Sequence, residues 1–164
     1  MAKSAGSGDD LWKGLLAGMA AGLTASAAVS SFQALWTALE GPRGEDEEPT
    51  EAAARKISEG VFGHHLTPDE TFIAGSAVHL GFGTATGGIY GAAAEVVPEI
   101  GLAGGLPFGA ALWLVADEGA VPALGLSQPP LRRPALKHIH DLASHLVFGL
   151  TAEATRRLVR RALD

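Results

Sequence analysis

Residues 14 to 39 and residues 71 to 94 contain no Asp, Glu, Lys or Arg, and both runs are rich in Ala, Gly, Leu, Val and Phe. A helix rises about 1.5 Å per residue and a bilayer's hydrocarbon core is about 30 Å thick, so about 20 apolar residues cross it. Both runs exceed that length, and they predict membrane helices over residues 11–39 and 70–96. A third charge-free stretch, Ile100 to Ala116, has 17 residues before Asp117 and Glu118. It is at the lower edge of the spanning range and is read as a helix over 100–124, with Pro107 predicting a kink and Pro122 an end.

Residues 136–163 would fail a hydropathy scan, yet they pattern as a helix with two faces. At about 100° per residue, His138, Asp141, His145, Gly149, Ala152 and Arg156 share one stripe, with Ile139, Leu146, Val147, Leu150 and Ala154 beside and opposite it. Such a helix spans if its stripe faces a bundle interior. Otherwise it lies along the interface, which the RRLVRR end also suits. Residues 40–69 form an acidic connector with a short helix near Glu51 to Gly60, closed by the helix-start signal Thr67-Pro68-Asp69-Glu70. The loop SQPPLRRP, Ser127 to Pro134, cannot be helical throughout.

The fold class that follows is all-α: one polytopic membrane domain over residues 1–164 with four transmembrane helices. Composition alone would not settle it, because 47% hydrophobic residues, 18% charged residues and a mean hydropathy of +0.20 suit a soluble domain too. The placement of charge does. Glu40, Arg43, Glu45, Asp46, Glu47, Glu48, Glu51, Arg55, Lys56 and Glu59 crowd the connector, and a second group fills the last nine residues. A net charge of −6 with no basic groove excludes nucleic acid as partner. The absence of cysteine excludes disulfides and thiolate metal sites. The opening MAKSAGSGDDLWKG has no cleavage motif, so no cleaved signal peptide is expected. Four spans put both termini on one side, with Lys3, Lys13, Arg156, Arg157, Arg160 and Arg161 against Arg43, Arg55, Lys56, Arg132, Arg133 and Lys137. The balance gives no orientation by itself. The long acidic connector and the dense C-terminal arginines favour termini inside.

The chain has 22 glycines, most of them inside the apolar runs. Gly14, Gly18 and Gly22 recur every four residues, as do Gly83, Gly87 and Gly91, with Gly75 on the same face, and Gly101, Gly105 and Gly109. Lipid solvates leucine as well as a second helix does, so helices associate in a bilayer where small residues let backbones approach. The glycines therefore predict zipper-like packing in a compact bundle, a homo-oligomer or a larger membrane complex, with the lipid bilayer as the first partner. GFGTATGG lies inside a run of membrane length and is no phosphate loop.

Ionisable groups inside spans are expensive and need partners or water. His79 shares a face with Gly75, Gly83, Thr86 and Tyr90, and Asp117 shares one with Leu106, Ala110 and Trp113. Turned inward, His79, Tyr90, Asp117, His138, Asp141 and His145 would make one polar core. Three readings fit it: a hydrogen-bonded network that fixes register, a proton or ion path, and a metal or haem site held by two of His79, His138 and His145. No cofactor is required by the pattern, and nothing in the spacing selects a metal. His64 and His65 read as solvated loop, His140 as facing away from His138, Glu153 and Arg157 as a surface i,i+4 pair, and Glu95 as a span-end carboxylate. Ser30, Ser31, Ser76 and Ser144 have no nucleophile context, and no hydrolase elbow, phosphate loop or HExxH is present, so no enzyme is expected.

Ordered pieces from His79 onward resemble a known family. They are His79 with Tyr90, Gly91, Ala94-Glu95-Val96, Pro98 and Ile100; Gly101 to Gly109; Pro122 with Gly125-Leu126 and Pro129-Pro130; and His145-Leu146-Val147 with Glu153 and Arg156-Arg157. Over roughly residues 72 to 161 they are similar to the YagU-like bacterial inner-membrane proteins, with GLLAGMAAG resembling that family's first span. The resemblance implies a four-helix, multi-pass inner-membrane protein of unknown biochemical function, with an association with acid resistance in enterobacteria. Where the family has a third-helix histidine this chain has Asp117, which favours a mixed histidine and carboxylate network over a histidine-only metal site. The expected role is structural, accessory or regulatory, with a proton- or ion-linked transporter or channel as the alternative and a haem- or metal-binding subunit as the third.

Overall fold

A computed structural model describes residues 8–41 and 47–163. Lys3, Arg43, Glu45 and Asp46, counted above for topology and for the connector, lie outside the described residues. Helix α1 is Gly8–Glu40, α2 is Pro49–Ile57 and α3 is Pro68–Val96. A 3-10 stretch, Pro98–Gly105, leads into α4, Leu106–Val115, which continues through a wide π turn, Ala116–Ala120, into the single turn α5, Val121–Ala123. The long final helix α6 is Ala135–Ala162. No strand occurs among the described residues.

Local chemistry sets these boundaries. Thr67 and Glu70 form a reciprocal capping box at the start of α3: the Thr67 amide donates to Glu70 Oε2 at 2.8 Å and the Glu70 amide donates to Thr67 Oγ1 at 3.4 Å. Pro68 occupies the first turn, where no amide donor is needed. The connector helix expected near Glu51 to Gly60 is α2 with its wide last turn, Ser58–Phe62, closed by Gly63 at φ +63°.

The third segment departs from the expected continuous helix over 100–124. Leu102 is extended, and Ala103, Gly104 and Gly105 take φ of 51°, 69° and 85°. Two adjacent glycines make this left-handed turn cheap. Pro107 then falls in the first turn of α4, so it helps start a helix where a kink was expected. The disturbance inside the segment comes later, at the π turn carrying Asp117 and Glu118. Pro122 falls within α5, and Gly125, at φ +64°, ends the segment.

Helix α1 runs antiparallel to α3 with Gly14, Gly18 and Gly22 against Gly91, Gly87 and Gly83, backbone to backbone. A Cβ added to Gly87 would lie 2.6 Å from Gly22 Cα, closer than real contacts allow. On the other side of the bundle, Gly105 and Gly109 meet α6 at Gly149 and His145, and Gly101 meets Glu153. Gly75 instead receives Glu51 of α2.

Size is distributed inside out. The core is Ala17, Ala21, Ala25, Val29, Ala152 and Phe148, whereas Leu23, Leu35, Phe72, Ile89, Leu114 and Leu158 are exposed. The helical stretches Asp10–Glu40 and Pro98–Ala123 are long and apolar enough to cross a membrane. At one end Arg160 joins α6 to Asp10 of α1 at 3.1 Å and to Glu95 of α3 at 2.9 Å. At the other, Lys56 Nζ donates to the carbonyls of Leu124 and Gly125 at 2.8 and 3.0 Å. The four long helical segments therefore alternate in direction, with both described chain ends at the arginine end.

Candidate functional site

α3 and α4 come together around Pro98–Gly105 but do not pack along their lengths, because α3 lies on α1 and α2 while α4 lies on α6. The wedge between them is a cavity of about 680 Å³. Its back wall carries Ser26 and Val29 of α1, its sides His79 of α3 and Asp117 of the π turn, and its floor Ser144, His145 and Phe148 of α6. Glu48 and Glu51 line its α2 edge.

Each histidine in this wall is anchored by a backbone carbonyl. His79 Nε2 donates to Ser26 O at 3.2 Å, and His145 Nδ1 donates to Asp141 O at 2.9 Å while lying 3.5 Å from Asp117 Oδ2.

Beside the cavity lies a tighter ion cluster. Arg133 is nearly buried and donates from Nη1 to Asp141 Oδ2 at 3.1 Å, and from Nη2 to Glu118 Oε1 at 2.6 Å and the Asp117 carbonyl at 3.1 Å. Lys137 reaches Asp141 at 3.2 Å. His138 has Nδ1 2.7 Å from Glu118 Oε1, and its Nε2 lies 3.1 Å from the Pro130 carbonyl.

The six residues expected to form one polar core thus fall into two groups. His79, Asp117, Asp141 and His145 line the cavity, with His138 beside it across Glu118. Tyr90 belongs elsewhere: eleven residues from His79, about 16 Å along α3, it donates to Glu153 Oε2 at 2.8 Å and stacks on Phe108. Glu153 also receives Arg156 at 2.7 Å and Arg157 at 2.5 Å. Its exposure is 1%, so the expected surface pair Glu153–Arg157 is a buried cluster. Glu95 likewise pairs with Arg160 inside the bundle end. His140, expected on an outlying face, is 2% exposed and packs against the rings of Phe32 and Trp36.

Sequence reasoning missed Arg133, Glu118, Ser26 and Ser144 as site residues. Ser26 carried a usable signal, since it extends the four-residue series Gly14, Gly18, Gly22 along the face of α1 that turns inward. Arg133 carried none, because a loop arginine between prolines has no periodicity to place it. Among the described residues no three His, Asp or Glu side chains converge on a point where a metal ion could be held.

The family model described as "Protein of unknown function (DUF1440)" matches residues 53–154, from α2 through most of α6. No curated protein and no solved structure matches the chain.

Proposed function

We propose, for a chain that belongs to the DUF1440 family of proteins of unknown function, that it is a small multi-pass protein of the bacterial inner membrane with a structural, accessory or regulatory role and no catalysis of its own. The carrying observation is the inverted size distribution, with Ala, Gly and Ser inside and Leu, Ile, Phe and Val outside. In water such a surface would be a large aggregation-prone patch, whereas in lipid it faces its natural solvent and the small residues permit backbone packing. On this reading four segments cross, α1 and α3 are zipped through their glycines, and the termini lie inside. On α6 the residues between Asp141 and Glu153 contain no Lys, Arg, Asp or Glu and span about 16 Å, so the longer charged side chains at each end extend toward headgroups. The resemblance to the YagU-like proteins supports the location and a link to acid tolerance.

Membranes from expressing cells, washed with alkaline carbonate, should retain the protein. Because the chain has no cysteine, single substitutions Leu35→Cys and Ile89→Cys should resist a water-soluble maleimide, while Leu131→Cys reacts. Release by carbonate, or equal labelling at all three sites, would overturn membrane insertion. Gentle extraction followed by native mass spectrometry tests the accessory role. A companion mass or a homo-oligomer supports it, and a stable bare monomer counts against it.

The cavity favours a second reading, a proton- or ion-linked transporter or channel, because His79, Asp117 and His145 place titratable groups around one internal cavity. It predicts pH-dependent flux in liposomes that is lost in His79→Ala and Asp117→Asn. Unchanged flux in both variants would exclude it.

A further inference from the structure

The cavity between α3 and the turn after α4 has three properties that together specify a ligand. First, its opening lies on the apolar surface. Phe72 and Phe82 of α3 and Val115 and Leu124 across the gap line it and are 67%, 52%, 67% and 65% exposed. Second, its interior holds polar atoms without partners. Ser26 and Ser144 are 0% and 3% exposed, and neither hydroxyl has a hydrogen-bond partner within the protein. Nearby hydroxyls behave differently: Thr24, Ser30 and Ser31 each donate to the carbonyl four residues earlier, at 2.8, 3.1 and 2.9 Å. Two buried side-chain hydroxyls left open in one cavity point to a partner that arrives from outside.

Third, the charge on the wall is unbalanced toward anion. Lys137 and Arg133 are both committed to Asp141, and Arg133 also to Glu118. The Asp117 carboxylate has no Lys or Arg within salt-bridge distance among the described residues, and His145 lies 3.5 Å from it. Glu48 and Glu51 add negative charge at the α2 edge. Hydroxyls and a carboxylate without a Lys or Arg partner are both served by a group rich in N–H donors that carries positive charge.

We propose that this cavity binds a lipophilic amine, a primary ammonium head on an apolar chain or ring. The ligand enters sideways between α3 and α4. Its ammonium donates to Asp117, with the Ser26 and Ser144 hydroxyls completing the site, while its apolar body lies against Val29, Leu112 and Phe148. The lateral route rests on the membrane reading, whereas the binding chemistry does not.

The test uses the full chain purified in a neutral detergent and a photoactivatable decylamine carrying a diazirine on its chain, with labelled peptides located by mass spectrometry. The expected label falls on residues 72–83 and 112–126, is competed by decylamine, and is competed at least tenfold less well by decanol and by decanoate. Asp117→Asn should lower labelling about tenfold or more, and Ser144→Ala by less, both with unchanged helical circular dichroism. Label spread evenly over the exposed helix faces would overturn the proposal. So would equal competition by decanol, which would mark a purely apolar pocket, or stronger competition by decanoate, which would mark an anion site around Arg133 and Lys137. Specific labelling in detergent with release of the native protein by carbonate would retain the site and remove only the membrane route.

Discussion

Tyr90 of α3 donates its hydroxyl to Glu153 of α6 at 2.8 Å, and this buried bond fastens two helices at the arginine end. Glu153 is 1% exposed and is satisfied by Tyr90, Arg156 and Arg157 together, with Arg157 also reaching the Gly101 carbonyl at 2.8 Å. A buried charge stripped of its counter-ion is costly, so Glu153→Ala should destabilise the detergent-solubilised protein by about 3–5 kcal/mol. Tyr90→Phe removes one hydrogen bond and leaves the ion pairs, at about 1–2 kcal/mol. Thermal unfolding followed by circular dichroism checks both. Equal small losses would show that the cluster is solvated instead of locked.

The contact of α1 with α3 discriminates between glycines that look alike in sequence. A Cβ on Gly87 meets the Gly22 Cα at 2.6 Å, while a Cβ on Gly81 meets nothing within 4 Å. Gly87→Ala must push two backbones apart and should cost about 1–3 kcal/mol. Gly81→Ala gains helix propensity without a clash and should be neutral or stabilising by up to about 1 kcal/mol. Thermal stability of the two variants decides the matter, and equal effects would disprove the close approach.

The long helices were legible because charge is excluded from residues 14–39 and 71–94 and because Thr67, Pro68 and Glu70 announce the start of α3. The inward stripe of α6 was legible too: Asp141, Gly149 and Ala152 are buried, with His140, Ser144 and Phe148 widening the face. The break at Leu102 to Gly105 was hidden, because a glycine pair in an apolar run looks like a packing face and a turn equally well. Glu153 was misread for a different reason. An i,i+4 Glu–Arg pair has the same spacing on a solvated face and in a buried cluster, and only the third partner, Tyr90, sixty-three residues away, separates the two.

In the acidic connector, Glu47 accepts from Arg55 Nε and Nη2 at 3.1 and 2.9 Å, and the hydrogen bond to this guanidinium holds its carboxyl below the usual carboxylate range. A depressed folded-state value contributes stability above the unfolded value near 4.5 and loses it as pH falls through the folded one. The pair is more than one-third exposed, so solvent screening keeps its contribution small. Amide-exchange protection in α2 should therefore fall slightly in the native chain as the pH drops below the ordinary carboxylate value. Glu47→Gln should show lower protection at neutral pH and no such fall.

Arg133 ties the loop before α6 to the π turn after α4, since its two terminal nitrogens serve Asp141, Glu118 and the Asp117 carbonyl at once. A planar fork can do this where a lysine ammonium, a single point charge, cannot. Arg133→Met leaves Glu118 with only His138, and Asp141 with Lys137 and His140, in a nearly buried setting. The expected loss is about 3–5 kcal/mol, with Arg133→Lys recovering part of it. The loop itself offers a local readout, because Leu131 is fully exposed and adjoins the anchored residues. Chymotryptic cleavage after Leu131 should be slow in the native chain and fastest in Arg133→Met, with Arg133→Lys between them. Identical cleavage in all three would mean that the prolines, and not the arginine, hold the loop.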